Sequence, residues 1–375
     1  MEYETRGRLA SYEPALLENW YRYNYFNNEI DISGSGVEEY TFGEVKEIAG
    51  FSFRELDPLQ IRDCETVGGF VIRKQLADLF GTGSSERVMV TNGSNEALQL
   101  VVRSILAAGD EVVTQAPCYH CHDKIALSMG CTVTKWQFSS PESFDLDLHD
   151  LRRLVTKKTK AVILNFPHNP TGVSITQQML DDIVDIVREN AAFLIWDAAF
   201  QGLTYDTQPL RDPVNDYDKV VSVGTFSKVY GAPGLRFGWI IAAPEILAGC
   251  VRQKDYGNLF VAPIIEFVAE KMLAKIDDFS QPRLLQAGDN REIVDTWIRK
   301  NKRLDWRLPD GGVCGLMTLP PGIDDTDFCK SLLAEYGVLL VPGSCFDRPG
   351  CVRLGFGGNT AELKEGLCRL GRFIR

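Results

Sequence analysis

The stretch "GTFSKVYGAPGLRFGW", residues 224–239, sets one lysine, Lys228, among hydroxyl, glycine and apolar side chains. Thr225 and Ser227 offer hydroxyls beside it, and Arg236 follows at the far side of the glycine turn. A lysine at a strand end is commonplace on a surface, but one hemmed in this way is desolvated. Desolvation disfavours the ammonium form and lowers the pKa, as a lysine that forms a Schiff base requires. The flanking runs "KVVSVGTF" (219–226) and "RFGWIIA" (236–242) read as strands, so Lys228 is expected where a strand ends.

Outward from this point the same alternation continues. "RVMVTNG" (87–93), "EVVTQAP" (111–117), "KAVILNF" (160–166) and "AFLIWD" (192–197) are nearly unbroken apolar runs, as strands buried on both faces tend to be. Between them "SNEALQLVVRSIL" (94–106) puts Leu98, Val101, Val102 and Ile105 on one helical face. "TQQMLDDIVDIVREN" (176–190) does the same with Leu180, Ile183, Val184 and Val187. Strands alternating with helices predict an α/β fold with a mostly parallel sheet wrapped by helices. After residue 245 one long helical region (244–275) is expected, then strand-like "GLMTL", "GVLLVPG" and "CVRLGFG" and a closing helix over 360–374. That order reads as a smaller α+β domain joined by the N-terminal segment.

The totals narrow the function. A chain of 375 residues with 45% hydrophobic content can bury a large core. A formal charge of −11, with no basic block, argues against a nucleic-acid partner. The N-terminus lacks the basic start and apolar middle of a signal peptide, and no apolar stretch is long enough to span a membrane, so a cytoplasmic protein is expected. Ten cysteines are scattered, mostly inside apolar runs, where a thiol acts as a small hydrophobe. "CYHCH" (118–122) has the form of a haem attachment or half a zinc site. Haem attachment would imply export, and zinc would need a second pair that four histidines do not readily supply. No metal is therefore expected.

The chemistry-bearing residues lie where strands meet loops. "VTNGSNEALQL" (90–100) is a strand, a glycine turn and a helix start at Ser94–Asn95, whose free N–H groups suit a phosphate. "NFPHNPTGVSIT" (165–176) offers the amides of Asn165 and Asn169 at a rigid turn. "IWDAAFQG" (195–202) ends an apolar strand on Asp197, a costly place for a carboxylate unless something cationic meets it.

Taken in order, "NGSNEA", "PCY", "NFPHNPTG", "WDAAF", "SKVYGAPGLRFG" and "VRLGFG" resemble the fold-type I pyridoxal-phosphate enzymes, the aspartate aminotransferase superfamily, over about residues 60–356. The resemblance implies a large cofactor-binding domain over 45–284 with a seven-stranded sheet. It implies a small domain of 1–44 and 285–375, whose N-terminal segment crosses the active-site mouth, and a homodimer. Pyridoxal 5'-phosphate is the implied cofactor, held covalently by Lys228, with Asp197 on its pyridine nitrogen and Asn169 on its phenolic oxygen. Gly93, Ser94, Asn95, Thr225, Ser227 and Arg236 are implied around the phosphate, and Tyr119 stacked on the ring. Arg353 is implied as a two-pronged grip on the α-carboxylate of an amino-acid substrate.

Three departures refine this expectation. Many relatives carry a tyrosine three residues after the aspartate, donating to the phenolic oxygen, and here that position is Phe200. Many carry another tyrosine about five residues before Gly68 that reaches the partner's phosphate. Asp63 stands there, and Arg62 beside it is the expected substitute. The segment "DISGSGVEEYTFGE" (31–44), together with "WDAAF", resembles the hydroxyarginine cyclases of the superfamily. On that resemblance Gly34 lines the substrate site and Glu38, Glu39 and Glu44 are candidates to face a guanidinium. The implied reaction removes water from a hydroxy-L-arginine and closes its guanidine into a ring. The reading leans to 4-hydroxy-L-arginine giving L-enduracididine, with 3-hydroxyarginine to capreomycidine and amino transfer from a basic amino acid as alternatives.

Overall fold

Three of the apolar runs lie side by side. The computed structural model describes residues 13–140 and 143–374, and in it β4 (Thr159–Asn165), β5 (Phe193–Asp197) and β6 (Val220–Thr225) are parallel neighbours. They are flanked by β1 (Val88–Thr91), β2 (Glu111–Ala116), β3 (Thr132–Gln137) and β7 (Gly238–Ile241), in the order β1-β7-β6-β5-β4-β2-β3. β7 alone runs against both neighbours, and the other pairings are parallel. This is an α/β fold with a mostly parallel seven-stranded sheet. Register pairs Asn165 with Asp197, and Asp197 with Val223, so the chain leaves β4, β5 and β6 at one edge of the sheet. The loops that carry Asn169, Asp197 and Lys228 therefore emerge together.

The strands are apolar because both faces are covered. α2 (Ser94–Ile105) buries Leu98, Val101 and Val102 with Ile105 half-buried, and α3 (Gln177–Glu189) buries Leu180, Ile183, Val184 and Val187. Each such side chain contributes roughly 1.5–3 kcal/mol by leaving water. β3 escaped the apolar-run reading because it is an edge strand whose side chains alternate towards solvent, with only Trp136 fully buried. The expected single helix over 244–275 is instead two, α4 (Pro244–Lys254) and α5 (Pro263–Leu273). Pro263 restricts the residue before it to extended backbone, and Ala262 accordingly has ψ 141°.

A second core lies across the cavity edge of the sheet. β8 (Asp305–Trp306), β9 (Cys314–Thr318), β10 (Val341–Pro342) and β11 (Cys351–Gly355) form an antiparallel sheet in the order β10-β11-β9-β8. "GVLLVPG" is thereby split, since Val338–Leu339 pairs instead with Ile30–Asp31 of the N-terminal segment. α1 (Leu16–Asn24) buries Leu17 and Trp20 in this core, and Trp20 Nε1 donates to the Leu340 carbonyl at 2.9 Å. α6 (Ile276–Lys300), a helix the sequence pattern hid behind Pro282 and its polar run, joins the two cores. Phe279 lies in the first, and Ala287, Val294 and Ile298 lie in the second. α7 (Thr360–Phe373) closes the chain.

Candidate active site

The ends of β4, β5 and β6, the start of α2, the N-terminal segment and β11 enclose a cavity of ≈ 830 Å³. One end of it is built for an anion. Ser94 and Asn95 open α2, whose first-turn N–H groups and positive dipole end face this wall. Gly93 precedes them with φ +86°, and a Cβ on it would lie 2.4 Å from Arg236 Nη2, so the glycine makes room for the guanidinium. Arg236 Nη1 donates to Ser227 Oγ at 3.2 Å. Gly93 and Thr225 do not themselves line the cavity. Thr225 Oγ1 accepts from Ser227 N at 3.1 Å and donates to the Phe237 carbonyl at 3.1 Å, so it steadies the serine.

The opposite end carries the carboxylate. Asp197 is buried, and its Oδ1 accepts from Ala199 N at 3.0 Å. Its Oδ2 accepts from His122 Nε2 at 2.8 Å, both side chains being almost wholly buried. His122 is a site residue that the sequence reading missed. It was visible in "CYHCH", but a haem or zinc pattern absorbed it. Asn165 was expected to face the ligand, and its amide is instead bound into the scaffold. Nδ2 donates to the Asp197 carbonyl at 2.7 Å, and Oδ1 accepts from Asn169 N at 3.0 Å. Tyr119 lines the cavity between these ends, and its hydroxyl donates to Asn95 Oδ1 at 3.1 Å.

Lys228 lies in the same cavity, where burial and the neighbouring Arg353 charge lower its pKa to about 8. Its Nζ donates to Ser35 Oγ at 3.0 Å. Arg353 is 1% exposed and held on several sides. Its Nε and Nη2 donate to the Ser33 carbonyl (3.1 and 3.0 Å), Nη1 to Asn169 Oδ1 (3.0 Å) and Nη2 to Tyr21 Oη (2.7 Å). A guanidinium has five N–H groups. One N–H on Nη1 is therefore left for a substrate carboxylate, and the two-pronged grip needs the Tyr21 contact to yield. Asn169 keeps its Nδ2 without a protein partner among the described residues, free to donate to a cofactor oxygen.

The rim departs most from expectation. Glu38 lines the cavity, yet it pairs with Arg283 at 3.1 Å and accepts from Asn359 Nδ2 at 3.0 Å. Glu44 is exposed and closes a capping box with Thr41 on the helix Phe42–Ala49, away from the cavity. Glu39 is exposed at the rim, Gly34 lines the wall, and Arg62 is exposed outside the cavity. Glu18 and Tyr21, both on α1, face in instead. Tyr119 Oη lies 3.4 Å from Glu18 Oε1, and Glu18 has no cationic partner among the described residues. Nothing in "LLENWYRYN" marks these residues as more than an amphipathic helix. Phe200 lines the cavity, and its ring belongs to the second core.

An anion clamp, a buried carboxylate and a desolvated lysine in one cavity are the donor set that pyridoxal phosphate needs. The aminotransferase class I and II family model matches residues 65–370. The chain belongs to that family. It is a pyridoxal-phosphate enzyme of fold type I. The chain is 38% identical over 359 residues to capreomycidine synthase of Streptomyces vinaceus, covering 95% of this chain and 92% of the relative. Aspartate aminotransferase of Thermotoga maritima is 26% identical over 92% of each chain. Among solved structures, the pyridoxal-phosphate-dependent cyclase OrfR superposes with a TM-score of 0.93 at 35% identity over 99% of both chains. An aminotransferase from Streptococcus suis superposes at 0.92 with 28% identity, over 97% of this chain and 98% of its own. Among the described residues, no helix of this class I and II enzyme is long and apolar enough to cross a membrane.

Proposed function

We propose that the enzyme removes one water from a hydroxy-L-arginine and closes the guanidine onto the carbon chain. The observation that supports this most directly is the charge of the cavity wall. The lining cations are Lys228, Arg236 and Arg353, each with a duty towards the cofactor or the α-carboxylate. Opposing them, besides Asp197, are Glu18, Asp31, Glu39 and Glu362, with Glu29 and Glu38 already paired with Arg369 and Arg283. That excess suits a cationic side chain, and Glu18 is the carboxylate we assign to the guanidinium. The two cyclases among the relatives favour ring closure over amino transfer.

Bound pyridoxal phosphate would draw off the electron pair left when the α-proton departs. Asp197, steadied by His122, would hold the pyridine nitrogen protonated, and Ser94, Ser227 and Arg236 would hold the phosphate. Lys228 takes the α-proton on Nζ, which a pKa of about 8 equips it to do near neutrality. Arg353 orients the carboxylate. With a γ-hydroxyl, which we take as the first reading, Lys228 must hand on the α-proton and then remove a β-proton before the hydroxyl leaves. A guanidine nitrogen then adds to the alkene, closing a five-membered ring, and the proton it sheds, together with the carbon proton not lost in the water, returns to the β- and α-carbons. With a β-hydroxyl, water leaves directly and a six-membered ring forms; the capreomycidine synthase relative favours this second reading. Neither route consumes an oxidant or a second substrate.

The test offers the purified enzyme arginine, 3-hydroxyarginine and 4-hydroxyarginine separately, without a keto acid, and weighs the products. Loss of one water from 4-hydroxyarginine is expected, and loss from 3-hydroxyarginine selects the second reading. Turnover only with a keto acid overturns both in favour of amino transfer. We further propose a homodimer in the cytoplasm, with Arg62 reaching the partner's phosphate, and the division into 45–284 and 1–44 with 285–375. Residues 1–12 of that smaller domain lie outside the described residues.

A further inference from the structure

We propose that Ser35 is a catalytic residue, passing a proton from Lys228 to the substrate hydroxyl that leaves as water. The inference rests on the dehydration reading above. Ser35 Oγ accepts from Lys228 Nζ at 3.0 Å, lines the cavity and is 7% exposed. A serine hydroxyl carries one donor and two acceptor sites. Here one acceptor is taken by Lys228, and the O–H has no protein acceptor among the described residues.

The segment carrying Ser35 is fixed rather than loose. Gly355 N donates to the Ile32 carbonyl (2.9 Å), Val37 N to the Lys228 carbonyl (3.1 Å) and Glu38 N to the Gly357 carbonyl (2.7 Å). Ser33, two residues before Ser35, gives its carbonyl to Arg353. One short strap thus meets the carboxylate-binding arginine and the proton-moving lysine in succession, so an amino acid spanning the two lies along Ser35.

The chemistry needs such a group. Hydroxide leaves carbon poorly, so the departing oxygen must be protonated as the C–O bond breaks. Having taken a proton from carbon, Lys228 gives one to Ser35 Oγ while the Ser35 O–H gives its own to the leaving oxygen. The C–O pair stays on that oxygen, water departs, and serine ends as it began. Lys228 returns to its neutral amine. The relay lets Nζ stay at the carbon it has just deprotonated while its proton reaches the hydroxyl on the next carbon.

The experiment separates the two duties of Lys228. Exchange of the arginine α-proton in D2O reports proton removal alone, and mass loss from hydroxyarginine reports elimination. Ser35→Ala is expected to keep exchange within about threefold and to slow elimination by about 100-fold or more, the scale of a general acid. Ser35→Thr restores elimination. In the cofactor-free protein, Ser35→Ala also shifts the pH midpoint for reductive methylation of Lys228 downward, because the hydroxyl that accepts from the ammonium is gone. Elimination at the wild-type rate in Ser35→Ala overturns the proposal. An equal fall of exchange and elimination also does, since Ser35 would then only position Lys228. An unmoved methylation midpoint overturns the contact itself. If the wild-type enzyme removes water from neither hydroxyarginine, the dehydration reading fails before any variant is made.

Discussion

His122→Phe tests whether Asp197, the carboxylate proposed to face the pyridine nitrogen, depends on its buried partner. The 2.8 Å contact from His122 Nε2 to Asp197 Oδ2 lies between side chains only 3% and 6% exposed. A hydrogen bond to a charged group contributes about 1.5–3 kcal/mol, and at 1.4 kcal/mol per decade that is about a 10- to 150-fold change in an equilibrium. Phenylalanine keeps the ring that meets Tyr119 edge-on, with centroids 5.9 Å apart, and removes only the N–H. Pyridoxal-phosphate affinity of the cofactor-free variant, followed by quenching of tryptophan fluorescence, should therefore fall by that factor. His122→Gln, whose amide can donate to the same oxygen, should recover most of it. A change below about threefold in His122→Phe, with an unaltered circular dichroism spectrum, would refute the assignment.

Glu18→Gln should raise KM for the cationic substrate by about 10- to 150-fold with little effect on arginine-independent cofactor binding, whereas Glu44→Gln should leave KM unchanged. Phe200→Tyr should add a donor to the phenolic oxygen and lower, by about one pH unit, the midpoint of the visible absorbance titration of the Lys228-bound cofactor; an unmoved midpoint would show that the missing hydroxyl is immaterial. Asp212 is pushed up from 3.8 to about 6 by burial, against the bonds it accepts from Ser222 and from Val214 N. Its folded pKa lies above its unfolded one, so the protonated form stabilises the fold at low pH, and that contribution fades as pH rises through 6. The full effect is about 3 kcal/mol, of which about 2 kcal/mol falls between about pH 4.5 and about pH 7.5. Urea unfolding of wild type and Asp212→Asn at these two pH values should differ by that amount, and a pH-independent difference would refute it.

What could be read from the sequence follows from where side chains are buried. β4, β5 and β6 are covered on both faces, so they announce themselves as apolar runs, and the loops at their ends inherit a predictable place. The placement of Lys228, Asp197 and Asn169 at neighbouring strand ends was legible for that reason. β3 was not, because an edge strand exposes every second residue. α6 was not, because one helix serving two cores has no single apolar stripe. The guanidinium-facing carboxylates failed for a different reason. Glu38 and Glu44 were sensible candidates by position, but a carboxylate's availability depends on what else it meets. Arg283 meets the first and the start of its own helix meets the second, which no local pattern reveals.

The residues argued to choose the reaction sit outside the part of the chain that defines the family. The family model begins at residue 65, whereas Glu18, Tyr21, Ser33 and Ser35 all precede it. Within the matched part lie Lys228, Asp197, Arg236 and Arg353, the residues proposed to serve the cofactor and the α-carboxylate. The earlier segment supplies the Glu18 carboxylate (without a cationic partner among the described residues), a hydroxyl against the lysine and a phenol against the arginine. It is anchored to the rest by backbone bonds at Ile32, Val37 and Glu38, which any side chains at positions 33 and 35 would permit. Side chains facing the cavity from this strap can therefore vary without disturbing the cofactor clamp. On the proposed function, ring closure in this enzyme therefore rests on a segment outside the residues that the family model matches.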